Sequence, residues 1–171
     1  YEKVYGQAVP ALVDALRQRK GPSPLHVTYL SSAGVYGDQS GAICNELTPP
    51  DCSNNTNALL ASAESSVLEL DDASIQACVL RLGGIYGPGM DIPSYIRSAA
   101  GQSVQKNGNH INAWVHLHDI IRGIEFAFER QLQGIYNLVD DLQFTRRQLS
   151  NALCDDHGLP PVIWDNHDRP G

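Results

Sequence analysis

Apolar positions switch repeatedly between a helical spacing and short extended runs. That alternation predicts an α/β class fold with a mostly parallel sheet and flanking helices. From Ala11 to Arg19, Leu12, Val13 and Leu16 recur at helical spacing, Pro10 suits the first turn, and Gly21-Pro22-Ser23-Pro24 stops the helix. His26 to Leu30 reads as a short buried strand ending at Ser31-Ser32, and a polar loop runs from Gly34 to about Asn55. Asn57 to Leu70 is helical, with Leu59, Leu60, Ala63, Val67, Leu68 and Leu70 on its apolar side. Ile75 to Leu82 is the next strand and runs into the glycine-dense segment Gly83-Gly84-Ile85-Tyr86-Gly87-Pro88-Gly89. Pro93 to Ala100 reads as a helix, Ile111 to Val115 as a strand, His118 to Arg130 as an amphipathic helix, and Gly134 to Val139 as a strand. Thr145-Arg146-Arg147-Gln148 fits a capping box opening a helix that Gly158 closes, and Val162 to Trp164 is a last short strand.

Composition narrows what this pattern can be. With 171 residues, 42% hydrophobic and 18% charged, the chain reads as a single globular domain over 1–171. A core of this size needs neither disulfide nor metal. The formal net charge of −7 disfavours nucleic acid as a partner. The cluster Arg17-Gln18-Arg19-Lys20 reads as a helix-end complement to the helix dipole. No apolar run approaches the roughly 18–20 residues of a spanning helix, so no membrane partner is expected. Four scattered cysteines point to a reduced, cytoplasmic setting, although Cys44 and Cys52 could bridge a loop. Cys154-x-x-His157 and the alternating His116 and His118 lack further ligands at metal-site spacing, and no metal is expected.

The chemistry concentrates at Tyr29-Leu30-Ser31-Ser32-Ala33-Gly34-Val35-Tyr36-Gly37. A buried strand brings two hydroxyls to the carboxyl edge of a parallel sheet, the edge where ligands bind in open α/β folds. Such a hydroxyl can bond a substrate oxygen or cap the strand's turn, and the residues alone leave both readings open.

These residues resemble the S-S-x-x-V-Y-G motif of the extended short-chain dehydrogenase/reductases, the NAD-dependent epimerase/dehydratase family. Val79-Leu80-Arg81-Leu82-Gly83-Gly84-Ile85-Tyr86-Gly87-Pro88-Gly89 is similar to that family's L-R-x-x-x-x-Y-G-P-G. Trp114-Val115-His116-Leu117-His118-Asp119 is similar to its aromatic-V-H-V-x-D segment, and Gly134-Ile135-Tyr136-Asn137-Leu138 also matches. The resemblance implies a Rossmann-like, partial doubly wound fold, NAD or NADP as cofactor and a small or sugar-derived substrate, and leaves room for a homodimer. It implies a catalytic role for Ser32, cofactor contact at Ser31, Gly83 and Gly84, and substrate contact at Tyr36, Arg81, Tyr86 and His116. For Arg81 the residues equally allow a carboxylate partner near the sheet edge, and for Gly83 and Gly84 simple turn geometry. Asp119 is expected to cap the helix that follows it.

Two of the family's features are missing. Its chemistry rests on a tyrosine and a lysine four positions later, the ammonium lowering the phenol's pKa. The residues four positions after the seven tyrosines are Tyr5, Val9, Ala33, Ser40, Met90, Ala99 and Asp140, so no Y-x-x-x-K exists. Aligning Glu64 with the family's helix puts Thr56 and Leu60 at the dyad positions, or Asn57 and Ala61 with the register shifted by one. General acid–base catalysis is worth typically 10²–10⁴-fold, so turnover by the usual route is expected to be severely weakened. The phosphate-binding G-x-G-x-x-G is also missing, since Gly87-Pro88-Gly89 belongs to the later Y-G-P-G loop. The expectation is therefore a substrate-side part of a longer protein, with an NAD(P)-binding sensor or interaction protein as the alternative to an enzyme.

Overall fold

In the computed structural model, residues 1–19, 21, 24–70 and 74–165 are described. Lys20 and Pro22-Ser23 of the expected helix end lie outside them. In chain order the elements begin with a π-helical segment Glu2–Ala8, α1 (Val9–Arg17), β1 (Leu25–Ser32), a 3-10 turn Ala33–Tyr36, α2 (Asn55–Leu68) and β2 (Ile75–Leu82). They continue with β3 (Gly84–Tyr86), α3 (Ile92–Ala99), β4 (Ser103–Val104), β5 (Trp114–His116), α4 (Leu117–Arg130), β6 (Gly134–Leu138), α5 (Arg146–Asp156) and β7 (Ile163–Trp164). The chain divides into two compact units, Tyr1–Gly83 with His118–Val139 and Gly84–Leu117 with Asp140–Gly171.

The first unit holds a three-stranded sheet in the order β1-β2-β6, every pair parallel. β2 reads as a near-continuous apolar run because it is the central strand, buried along almost its whole length. Ile75, Ala77 and Val79 of β2 pack with Val13 of α1 and with Val67 and Leu70, and Val9, Leu16, Leu25, Val27 and Ile135 close around them. A second cluster joins Val35 and Tyr36 of the 3-10 turn to Leu60 of α2. α2 starts at Asn55 because the Asn54 side chain accepts the Asn57 N–H, two residues ahead of the expected start.

The second unit pairs β3 with β5 and β4 with β7, both parallel. The capping box forms as expected: the Thr145 hydroxyl accepts the Gln148 N–H at 3.1 Å and Gln148 accepts the Thr145 N–H at 3.0 Å. Gly158 follows α5 with φ of 61°. The strand expected from Ile111 to Val115 forms later, at Trp114–His116, because Ile111 makes only an isolated bridge to Thr145. The strand Ser103–Val104 has too few residues to leave a periodic signal.

The amphipathic helix expected from His118 to Arg130 forms as α4. The amphipathic helix buries Ile120 and Ala127, while Ile121, Phe126 and Phe128 are exposed, since its apolar residues exceed what a single 3.6-residue stripe can hide. Asp119 is the third residue of α4 rather than its cap, and faces Arg122 at 3.6 Å. Cys44 and Cys52 are free thiols, not a loop bridge. Among the described residues no helix is long and apolar enough to cross a membrane.

Candidate functional site

Parallel pairing in register lines up the carboxyl ends of the first unit's strands. Ser31 lies opposite Arg81, and Arg81 opposite Asn137, so one rung crosses all three strands; Ser32, Leu82 and Leu138 form the next. Arg81 is 2% exposed, and a buried guanidinium demands a partner. Glu64 supplies it from the inner face of α2, also at 2% exposure. Arg81 Nη2 donates to Glu64 Oε2 at 2.7 Å, and Nε reaches both carboxylate oxygens at 3.1 and 3.2 Å, the planar fork only arginine can offer. The Ser31 hydroxyl donates to Glu64 Oε1 at 2.6 Å.

The same guanidinium lies over the Tyr36 ring, 4.7 Å from its centroid, and the Tyr36 hydroxyl donates to Asn137 Oδ1 at 2.8 Å. Burial works against the Arg81 charge, but hydrogen bonding to Glu64 and Tyr36 and the Glu64 carboxylate outweigh it and raise the pKa above the ordinary value. Arg81 Nη1 is buried with no hydrogen-bond partner, as is the Tyr29 hydroxyl. Burial first, then the neighbouring Tyr5 and Glu64, push the Tyr29 phenol up to about 12. Tyr29 is therefore fully protonated at neutral pH and cannot serve as a base.

Ser32 stands one residue beyond this rung, half-buried. Its Oγ accepts the Gly34 N–H at 3.1 Å and caps the 3-10 turn, which leaves the hydroxyl proton for an acceptor outside the turn. Across the edge, Glu46 accepts the Asn137 backbone N–H at 2.8 Å. That bond is the main reason the Glu46 carboxyl titrates below its ordinary 4.5, with the Arg81 charge a smaller contributor. A carboxylate stabilised this way supports the fold above its unfolded-state pKa and loses that support as pH falls through the lower folded value. Acid titration of Glu46→Gln is expected to show a shallower loss of stability below about pH 4.5 than the parent; parallel curves would refute the assignment.

In the second unit Tyr86 and His116 face each other across β3 and β5, ring centroids 5.1 Å apart, with Trp114 edge-on to Tyr86 at 6.5 Å. A Cβ added to Gly84 would stand 2.9 Å from the Trp114 indole, so the close approach this glycine permits is to that ring. Gly87 has φ of 132°, and the Gly87 and Met90 N–H groups each donate to the other residue's carbonyl, which closes the Y-G-P-G loop into a tight turn.

The sequence-expected residues thus fall into two groups: Ser31, Ser32, Tyr36, Arg81 and Gly83 in the first unit, and Gly84, Tyr86 and His116 in the second. Tyr36 and Arg81, expected to meet substrate, are buried with their polar groups turned to Asn137 and Glu64. Of the residues expected against a cofactor, Ser31 donates to Glu64, Gly83 N–H to Leu138 O at 3.2 Å and Gly84 N–H to Ala113 O at 2.8 Å. These residues supply no donor for a dinucleotide's phosphates. Glu46 and Asn137 were missed. Glu64 had left a signal: it is a lone acid at an inward position of α2, between Leu60 and Val67. No group of three or more His, Cys, Asp or Glu that could hold a metal occurs among the described residues.

The model of the NAD dependent epimerase/dehydratase family matches residues 6–138. The chain belongs to that family. Among solved structures it is similar to the Thermus thermophilus UDP-glucose 4-epimerase complex with NAD (TM-score 0.78, 22% identity, covering 99% of this chain and 59% of that one). It is similar to UDP-N-acetylglucosamine 4-epimerase from Methanobrevibacter ruminantium in complex with UDP-N-acetylmuramic acid (TM-score 0.80, 18% identity, 100% and 58%). It is also similar to a double mutant of DesIV, a dTDP-glucose 4,6-dehydratase from Streptomyces venezuelae, with NAD and DAU bound (TM-score 0.78, 21% identity, 99% and 55%). These likenesses establish the Rossmann-like fold, and the chain spans less than two thirds of each of those proteins. No curated protein sequence matches it.

Proposed function

We propose that this family member is the substrate-side part of an NAD(P)-dependent epimerase/dehydratase-like protein whose ligand is a small or sugar-derived molecule, met by the Ser32 hydroxyl. The observation that carries the reading is Ser32 itself. It is half-buried at the carboxyl end of a parallel strand, and its oxygen is used by Gly34 while its proton remains to be donated. NAD(P) would supply hydride acceptance and return, but the phosphate cradle it needs is not among these residues.

α2 carries no titratable side chain from Asn55 to Ala63, and the next residue, Glu64, is committed to Arg81. That specific gap favours the second reading, an NAD(P)-binding sensor or interaction protein on the same fold with no turnover by the Tyr–Lys route. In the natural protein carrying this sequence, nicotinamide fluorescence should show saturable NADH or NADPH binding. Ser32→Ala should weaken binding of UDP-glucose about three- to tenfold, the worth of one neutral hydrogen bond. Conversion of UDP-glucose or dTDP-glucose should run at least about 10²-fold below a dyad-bearing enzyme. Absence of any dinucleotide binding, or an unchanged affinity in Ser32→Ala, would overturn the reading. Measurable conversion would select the enzyme over the sensor.

A further inference from the structure

Ser32 is held between two anchors that share one guanidinium. Immediately before it, Ser31 donates to Glu64, and Glu64 is locked in the plane of the Arg81 fork by three contacts of 2.7 to 3.2 Å. Four residues after it, the Tyr36 ring lies under the same Arg81 guanidinium and is tied at its hydroxyl to Asn137. Ser31, Arg81 and Asn137 occupy one rung of the sheet, so each anchor is referred to the central strand and not to a loop. Between the anchors the chain turns through Ala33–Tyr36, and Ser32 caps that turn.

We propose that Glu64 and Arg81 are positioning residues: their buried ion pair fixes both ends of the Ser31–Tyr36 segment and thereby sets the orientation of the Ser32 hydroxyl, without touching a ligand. The functional consequence rests on the reading of Ser32 given above; the mechanical claim does not. A planar, doubly hydrogen-bonded pair resists rotation in a way a lysine–glutamate contact does not, because a point charge leaves the carboxylate free to turn. The position of Ser31 Oγ therefore depends on the fork, and Ser32 follows through the backbone.

Two readouts test this in the natural protein. Amide exchange at Gly34, whose N–H donates to Ser32 Oγ, reports the orientation of Ser32 with no ligand present. Ser31→Ala should speed Gly34 exchange about tenfold or more, the loss of one hydrogen bond's local restraint, and by a clearly larger factor than the Val79 amide at the centre of β2, which opens only with the whole unit and so reports the change in global stability. Ser31→Thr, which keeps the hydroxyl, should restore the parent rate, and Arg81→Lys should resemble Ser31→Ala. A purely stabilising pair would leave Gly34 unaffected or would speed Gly34 and Val79 by the same factor, and either result overturns the proposal. The second readout is affinity for UDP-glucose, measured by calorimetry. Ser31→Ala should weaken it, and the Ser31→Ala/Ser32→Ala double variant should bind no worse than Ser32→Ala alone, because the first acts only through the second. Losses that multiply would overturn the coupling. If Ser32→Ala leaves affinity unchanged while Gly34 responds as stated, the ligand role of Ser32 fails and the positioning role stands.

Discussion

Arg81→Met is expected to lower folding stability by about 3–5 kcal/mol in urea denaturation. The substitution keeps much of the side chain's volume, so the cost is electrostatic. Glu64 would remain 2% exposed with a carboxylate that retains only the Ser31 hydroxyl among its present side-chain donors. Tyr36 would also lose the cation over its ring. Glu64→Leu should cost a comparable amount for the mirror reason, a buried guanidinium without its counter-charge. Pairing the two changes should then recover most of the loss. Two buried charges are expensive to desolvate, and apolar replacements of similar volume remove that expense together with the attraction. Single variants within about 1 kcal/mol of the parent, the range of exposed pairs, would mean that water reaches the pair, against its burial. A double variant no better than the singles would mean that the pair's value lies in geometry that Met and Leu cannot copy.

Elements announced by period and punctuation were legible in the sequence. β2 is found where its apolar run lies, Ile75–Leu82, because a strand buried along its length has no reason to alternate. Thr145 and Gln148 fix the start of α5 through chemistry local to four residues. The site was legible to the extent that it is local: a Ser-Ser at a strand end and a Gly-rich loop after another could be placed on the carboxyl edge. Its electrostatics were not. Arg81 and Glu64 are separated by 17 positions, and Tyr36 and Asn137 by 101, so their meeting is decided by strand order and by which face of α2 turns inward. The sequence showed an arginine that could take a carboxylate or a substrate, and only the fold chose between them. The same holds for Gly84, where a permissive residue could have admitted a ligand and in fact admits the Trp114 indole.

Writing a Tyr–Lys dyad onto α2 is expected to succeed or fail by register. In the Thr56→Tyr/Leu60→Lys form the ammonium replaces a leucine that is 5% exposed and packed on Val35 and Tyr36. Removing that side chain from the cluster forfeits about 1.5–3 kcal/mol of apolar burial. The lysine must then reach water along its stem or deprotonate, since desolvation disfavours its charged form. In the Asn57→Tyr/Ala61→Lys form the lysine replaces a half-buried alanine at the margin of the same cluster and forfeits only a methyl group, while the tyrosine must enter the buried site of Asn57 and overpack it by about 1–3 kcal/mol. Leu60→Lys alone should therefore lower the urea midpoint clearly, and Ala61→Lys alone should move it little. Equal shifts would contradict the packing of Leu60 against the 3-10 turn. If the second form folds, its conversion of UDP-glucose in the presence of NAD should rise by about 10²–10⁴-fold over the parent, the usual worth of a positioned acid–base group. No rise in a folded, dinucleotide-binding double variant would show that the parent lacks more than the dyad, and would favour the sensor over the enzyme.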